Sequence, residues 1–391
     1  MIVEHTREQK ALRDELRAYF DALMTPEIRA DLIGLEGGPA YRDLVARMGA
    51  DGWLGVGWPV EYGGQGRPLI EQQIWFEEAR RAGVPLPFVT LNTVGPALME
   101  KGSEAQKQRF LPPILTGKIH FAIGYTEPEA GTDLASLTTS AIRQGDEYIV
   151  NGSKIFTSGA SHADYIWLAC RTDPDAPKHR GISILIVGTD SPGFSSSPID
   201  IFGGGRTSMT YFENVRVPAE LLVGPENGGW KLMTLQLNHE RIMLAAFASA
   251  GFQLFDDVRD WALTTTDGDD RPVADAGWVR RALAECRARL LALEVMNWRL
   301  AWELEQRHVD PTQASAAKVY SSETMIEVYR LLLEVVGVAG SIDESSPGAL
   351  LRGRLEWEYR HAQINTFGGG VNEIQRELVA MLGLGMPRVP R

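Results

Sequence analysis

The chain has 391 residues, 44% of them hydrophobic and 23% charged, with 40 Gly and 21 Pro, which excludes a disordered, collagenous or low-complexity protein. Its length provides for about two to three domain-sized units with a buried core. Lys plus Arg total 39 against 51 for Asp plus Glu, and the net charge of −12 argues against nucleic acid or an anionic membrane surface as the general partner, while an anionic ligand in a local pocket stays open.

Met1 to Phe20 places Leu12, Leu16 and Phe20 at helical spacing among mixed charges and has no apolar stretch of signal-peptide length. No apolar run approaches the roughly 18 to 20 residues of a membrane helix, so no membrane insertion is expected and the cytoplasm is the expected location. Two cysteines, Cys170 and Cys286, cannot build a disulfide framework and read as buried small hydrophobes in a reducing compartment.

The pattern stays helical to about Lys118, giving an expected first domain over residues 1–118. Thr25-Pro26-Glu27 sets a capping hydroxyl before a proline at the first helical position, and Ser103-Glu104-Ala105-Gln106 reads as a capping box. Gly102 and Gly117 stand where left-handed closing residues belong. Trp53 to Gly66 is too rich in Gly and Pro for a periodic element and reads as a packed loop.

From Ile119 the period changes to short apolar runs: Ile119 to Thr126, Leu137 to Arg143, Tyr148 to Val150, Ile155 to Ser158, Tyr165 to Arg171, Ile182 to Val187 and Met209 to Val217. Gln144-Gly145-Asp146 and Asn151-Gly152 read as hairpin turns. With no helices between them, antiparallel strands in a small sandwich or barrel are expected over 119–228. After Gly228-Gly229-Trp230 helical spacing returns. Trp230 to Leu263, Ala276 to Arg307, Pro311 to Val338, Gly353 to Thr366 and Val371 to Leu382 make an expected bundle over 229–391, with Thr264 to Asp275 as a polar joint. No internal repeat interrupts this order, so the fold class is α+β: helical, then β, then helical.

No strand-to-helix phosphate fingerprint, P-loop, nucleophile elbow or His/Cys cluster at metal spacing occurs, so no metal is expected. Thr126-Glu127-Pro128-Glu129-Ala130-Gly131-Thr132-Asp133 ends an expected strand with hydroxyls and backbone N–H groups suited to a flat heterocycle and a pyrophosphate. Ile155-Phe156-Thr157-Ser158 offers an aromatic to cover a ring and hydroxyls for its edge. Taken singly, the first reads more simply as a turn and the second as core and turn.

Together these segments resemble the acyl-CoA dehydrogenase family over essentially the whole chain: VGWPVEYGGQG after Gly55, TEPEAGTD, NGSKIFTS, FENVRVP from Phe212, GGW from Gly228 and NEIQR from Asn372. The resemblance implies FAD, with Tyr125 and Thr126 along the flavin, Gly131 and Thr132 near the pyrophosphate, Phe156 over the ring and Ser158 near N5. It implies α,β-dehydrogenation of an acyl-CoA thioester, in which a carboxylate removes the α proton as hydride leaves the β carbon. Familiar members carry that carboxylate just before the Gln-Arg pair. Here Thr366-Phe367-Gly368-Gly369-Gly370-Val371-Asn372-Glu373-Ile374-Gln375-Arg376 puts Gly369 at the matching position, keeping a backbone N–H for the thioester oxygen but no base.

Other branches, including isovaleryl- and long-chain acyl-CoA dehydrogenases, place the base at the position of Glu240 in Leu237-Asn238-His239-Glu240-Arg241-Ile242. Glu240 is therefore the expected base and Arg241 an expected neighbour of the substrate, with Glu373 as a rival base. LNHER, TFGGGVNEIQR, SPGALLRGR and LGLGMPR resemble the steroid side-chain branch, which implies a cholesterol-derived CoA thioester and an α2β2 heterotetramer. Thr266 and Asp269 fall where homotetrameric members place an Arg and a Phe for a neighbour's FAD, and Glu334 to Val338 replaces a Gln-x-x-Gly-Gly pattern. Acidic residues beside a pyrophosphate are unfavourable, which points to a second, related subunit. Electron-transfer flavoprotein is the acceptor the family implies. The alternatives are an O2-using acyl-CoA oxidase or flavin monooxygenase of the same fold, and a non-catalytic assembly subunit.

Overall fold

Leu12, Leu16 and Phe20 form one buried face of helix α1 (Arg7–Leu23), which opens on a capping box of Thr6 and Gln9. A computed structural model describes residues 4–32, 37–234, 236, 247–306, 310–343 and 346–387. Helices α2 (Pro26–Leu32), α3 (Pro39–Ala50), α4 (Leu69–Arg81), α5 (Gly95–Lys101) and α6 (Glu104–Leu115) complete the first unit. The Ser103 box forms as expected: the Gln106 N–H donates to Ser103 Oγ at 3.2 Å and the Ser103 N–H to Gln106 Oε1 at 3.0 Å. Gly117 is left-handed at φ +68, where a Cβ would lie 2.7 Å from Val45 O. Gly102 is not left-handed; it is extended at φ −68, because it closes α5 by donating to Leu98 O and must lead straight into the Ser103 cap.

The β unit holds β1 (Phe121–Gly124), β2 (Ser140–Gln144), β3 (Glu147–Lys154), β4 (Tyr165–Arg171), β5 (Ile182–Gly188), β6 (Phe194–Asp200), β7 (Arg206–Pro218) and β8 (Leu222–Val223). They form one sheet in the order β6-β7-β3-β2-β4-β5-β8, with β1 paired to β4. Most pairs are antiparallel. β1 with β4 is parallel, and β2 meets β4 in parallel at Ser140 and Arg171, because the β2–β3 hairpin lies inside the connection that carries the chain from β1 to β4.

Asn151-Gly152 is not a turn. The hairpin turn at Gly145 already joins β2 to β3, so Asn151 and Gly152 run inside β3, where the register with β7 shifts between Val150 and Gly152. Gly152 sits at φ +143 with Thr139 packed so close that a Cβ would fall 2.6 Å from its Oγ1. Ile155 to Ser158 is not a strand either, since β3 ends at Lys154, and Leu137 to Thr139 precede β2.

Residues 229–234 open the last unit as helix, followed by α7 (Phe247–Thr264), α8 (Gly277–Glu305), α9 (Pro311–Val336), α10 (Arg354–Ala362) and α11 (Asn372–Leu378). The expected helix over Trp230 to Leu263 is thus described at its two ends. One hydrophobic core runs from the first helices through the sheet, and a second lies among α7 to α10. α4 packs on α7 and α8, and the Ile70 N–H donates to Glu305 at 3.2 Å. Cys170 and Cys286 are both buried without a disulfide, and burial pushes each thiol up to about 12. Among the described residues no helix is long and apolar enough to cross a membrane.

Candidate functional site

The chain leaves β1 through Tyr125 and Thr126 and folds into a tight turn in which Glu127 and Ala130 exchange both backbone hydrogen bonds at 3.1 Å. The Glu127 side chain points inward and is buried. Its carboxylate takes the Lys154 ammonium at 2.8 Å, the Thr138 N–H at 2.7 Å, the Thr138 hydroxyl at 2.8 Å and the Thr139 N–H at 2.8 Å. Burial works against ionisation, but Lys154 and the hydroxyl and N–H donors outweigh it and hold the carboxyl down at about 2. Lys154 also donates to Tyr125 O at 3.0 Å, so one ammonium ties the end of β3 to both sides of the Thr126 turn.

The Ile155 N–H donates to Thr126 O at 2.8 Å, which ties the start of Ile155 to Ser158 to the 125–133 loop. The two segments singled out in the sequence are therefore neighbours. Phe156 adopts φ +59, rare for a bulky residue, and is 59% exposed. Thr157 is buried, its N–H bonded to Ser208 O at 2.9 Å, and the exposed Ser158 has its hydroxyl 3.1 Å from Thr207 Oγ1. Gly131 and Thr132 are exposed. A Cβ on Gly131 would meet only Thr126 Cγ2, at 3.9 Å, and among the described residues neither N–H donates to a protein acceptor. An outward aromatic, free N–H groups and a cradle without a Cβ make a donor set that suits a planar ring carrying a pyrophosphate.

Tyr125 differs from its neighbours by reaching across to the last unit. Its hydroxyl donates to Gln236 Oε1 and accepts from Trp167 Nε1 at 3.1 Å. Gln236 is buried, and its Nε2 has no hydrogen-bond partner among the described residues. Glu240 and Arg241 lie outside the described residues, as do Leu237 to His239 and Ile242.

Gly369 sits in the turn between α10 and α11, at φ +67, where a Cβ would meet nothing within 4 Å. Gly370 follows at φ +94. Glu373 is exposed in the first turn of α11. Among the described residues no hydrogen bond joins this turn to the 125–133 loop. The sheet and α10 do meet: Arg360 donates to Phe202 O at 2.8 Å, and Gly203 packs so tightly on His361 that a Cβ would fall 2.8 Å from its Cα. Thr266 and Asp269 lie in the joint after α7, where Arg271 pairs with Asp269 at 2.7 Å.

Three groups escaped the sequence reading: the Glu127–Lys154 pair, Gln236, and Lys318 beneath the glycine turn. The first carried a signal, because an acid lies within the first chosen segment and a lysine immediately precedes the second. Lys318 and Gln236 carried none, since a single polar residue in a helix reads as solvated surface.

Family profiles described as "Acyl-CoA dehydrogenase" match along the chain: the N-terminal domain over 6–118, the middle domain over 122–215 and the C-terminal domain over 227–384. The chain is 52% identical to acyl-CoA dehydrogenase FadE29 of Mycobacterium tuberculosis (strain ATCC 25618 / H37Rv) over 392 residues, covering 100% of each. It is 54% identical to a chain of the Tcur3481-Tcur3483 steroid ACAD, with a TM-score of 0.95 and 100% of both chains covered. It is 50% identical, at a TM-score of 0.94 and again with 100% of both covered, to a chain of the ChsE4-ChsE5 complex from Mycobacterium tuberculosis.

Proposed function

The chain belongs to the acyl-CoA dehydrogenase family, and on that premise we propose that it is the FAD-binding, base-bearing subunit of a steroid side-chain acyl-CoA dehydrogenase. Bound FAD supplies the hydride-accepting N5. Tyr125, Thr126 and Phe156 line and cover its ring system, Ser158 bonds its edge, and Gly131 and Thr132 offer N–H groups to its pyrophosphate. Glu240 removes the proton from the carbon next to the thioester, with Arg241 beside it. The Gly369 N–H polarises the thioester oxygen, which lowers the cost of charge developing there.

The observation that carries this reading is the Ile155 N–H bond to Thr126 O, which joins the segment bearing the exposed Phe156 to the loop bearing the open Gly131–Thr132 cradle. The steroid substrate and the second subunit rest on relatives described as a steroid ACAD and as a two-component complex. Gly369, without a side chain, also leaves space for a bulky acyl group. Electron-transfer flavoprotein is the proposed acceptor and the cytoplasm the proposed location.

The test is Glu240→Gln in the assembled, flavin-loaded protein, assayed on a cholesterol-derived side-chain CoA thioester. Turnover should fall about 10²- to 10⁴-fold with the flavin spectrum unchanged. Undiminished turnover with FAD still bound removes Glu240 from the mechanism and favours the non-catalytic reading that Gly369 invites. Peroxide formed in step with turnover in air would favour an O2-using enzyme instead. Native mass spectrometry reports subunit composition and flavin count together; a flavin-saturated homotetramer would remove the case for a second subunit.

A further inference from the structure

Lys318 is 1% exposed in the N-terminal half of α9, directly beneath the glycine turn. Its ammonium donates to Thr366 O at 3.2 Å on one side of the turn and to Asn372 Oδ1 at 2.6 Å on the other. Burying an ammonium is expensive unless its donors are matched, so such a group fixes the oxygens it meets more firmly than a surface lysine does. Asn372 is itself held, donating to Ser322 Oγ at 3.0 Å and to Glu323 Oε1 at 3.2 Å. The turn is pinned at Thr366 and Asn372, while between them Gly369 and Gly370 have the conformational freedom of glycine at positive φ. Within the turn, the Gln375 amide donates to Gly369 O at 3.4 Å, and among the described residues the Gly369 N–H has no acceptor.

A backbone donor aimed at a reacting oxygen is effective only if its direction is fixed in advance. Glycine cannot fix its own direction. We propose that Lys318 is a positioning residue that sets the Gly369 N–H for the thioester oxygen by clamping Thr366 and Asn372. The inference rests on the functional reading above. It assigns a role in the acid-strengthening half of the reaction to a buried lysine that acts through the turn.

The test uses Lys318→Met, which removes both contacts, and Asn372→Leu, which removes one, in the assembled flavin-loaded protein. The readouts are kcat, KM, thermal melting, flavin absorbance, and exchange of the substrate's α proton with deuterated water by mass spectrometry. A misaimed donor should lower kcat and α-proton exchange about 10- to 100-fold, more for Lys318→Met than for Asn372→Leu. KM should stay within about threefold of the parent, because the loss falls on the charge-developing step. If Lys318→Met does not assemble, Asn372→Leu decides alone. A folded, flavin-loaded Asn372→Leu with parental kcat and exchange would overturn the proposal. Glu240→Gln run in parallel separates the two readings: if it keeps α-proton exchange, the functional reading fails, and if it loses exchange while both clamp variants keep it, only the clamp fails.

Discussion

Two loops of this molecule are each held from below by a buried lysine, and they are held differently. Under the 125–133 loop, Lys154 meets the carboxylate of Glu127, which three further N–H and O–H donors surround. Under the glycine turn, the bonds Lys318 makes across the turn end on an amide oxygen and a carbonyl oxygen. The first clamp cancels charge with charge inside a fully bonded cage and holds a surface whose shape must not change. The second fixes two ends and leaves glycines between them, so the site combines a rigid platform with a turn whose conformation depends on its anchors.

The two clamps should differ most when one member of the first is removed. Glu127→Ala leaves Lys154 buried against Tyr125 O alone and should lower stability to urea by about 3–5 kcal/mol, with loss of flavin absorbance. Replacing both partners with apolar residues, Glu127→Leu with Lys154→Met, should recover much of that loss, because no unpaired charge remains. Acid probes the same difference. The Glu127 carboxyl lies at about 2 in the fold against 4.5 when unperturbed, so it binds its proton more readily unfolded. Its contribution is whole above about pH 4.5 and drains away as pH falls toward 2. The urea midpoint should fall through that window. Glu127→Gln should flatten this part of the profile, whereas Asn372→Leu, which removes a group that does not titrate, should leave its slope alone.

Within the glycine turn, Gly369 and Gly370 have different surroundings. A Cβ on Gly370 would sit 2.5 Å from Gln375 Nε2 at φ +94, whereas one on Gly369 would touch nothing. Gly370→Ala should cost about 1–3 kcal/mol and displace the Gln375 bond, measured as urea stability and turnover together. Gly369→Ala should cost about 1–2 kcal/mol from its left-handed backbone alone.

The order of units was legible because period and turn chemistry are local: Leu12, Leu16 and Phe20 announce α1, and Ser103 with Gln106 announces α6. What misled was also local. Asn151-Gly152 has the chemistry of a hairpin turn, but Gly145 already supplied one, and the close approach of Thr139 made Gly152 a bulge residue instead. Gly102 looked like a left-handed stop because the sequence does not reveal that the next cap needs an extended approach. The two candidate loops were legible as segments, and their contact through Ile155 and Thr126 was not, since a hydrogen bond between residues far apart in the chain leaves no periodic trace. Lys154 and Lys318 show the same limit: burial of a charged side chain is decided by what surrounds it.

The smallest expected effects distinguish the outer layers of the two clamps. Thr138 is exposed, so when Thr138→Val removes its hydroxyl bond to Glu127, water can replace the donor and the backbone N–H at 2.7 Å remains. Ser322 is buried, and Ser322→Ala takes one of the two acceptors from the Asn372 NH2 group, leaving it Glu323 at 3.2 Å. A buried donor deprived of its acceptor costs about 1–3 kcal/mol, whereas a hydroxyl that water replaces costs under about 1. Stability in urea should therefore fall more for Ser322→Ala than for Thr138→Val, although only Thr138 bonds a charged group. The reverse order would mean that the charge on Glu127, and not exclusion of water, governs how strongly each clamp depends on its outer donors.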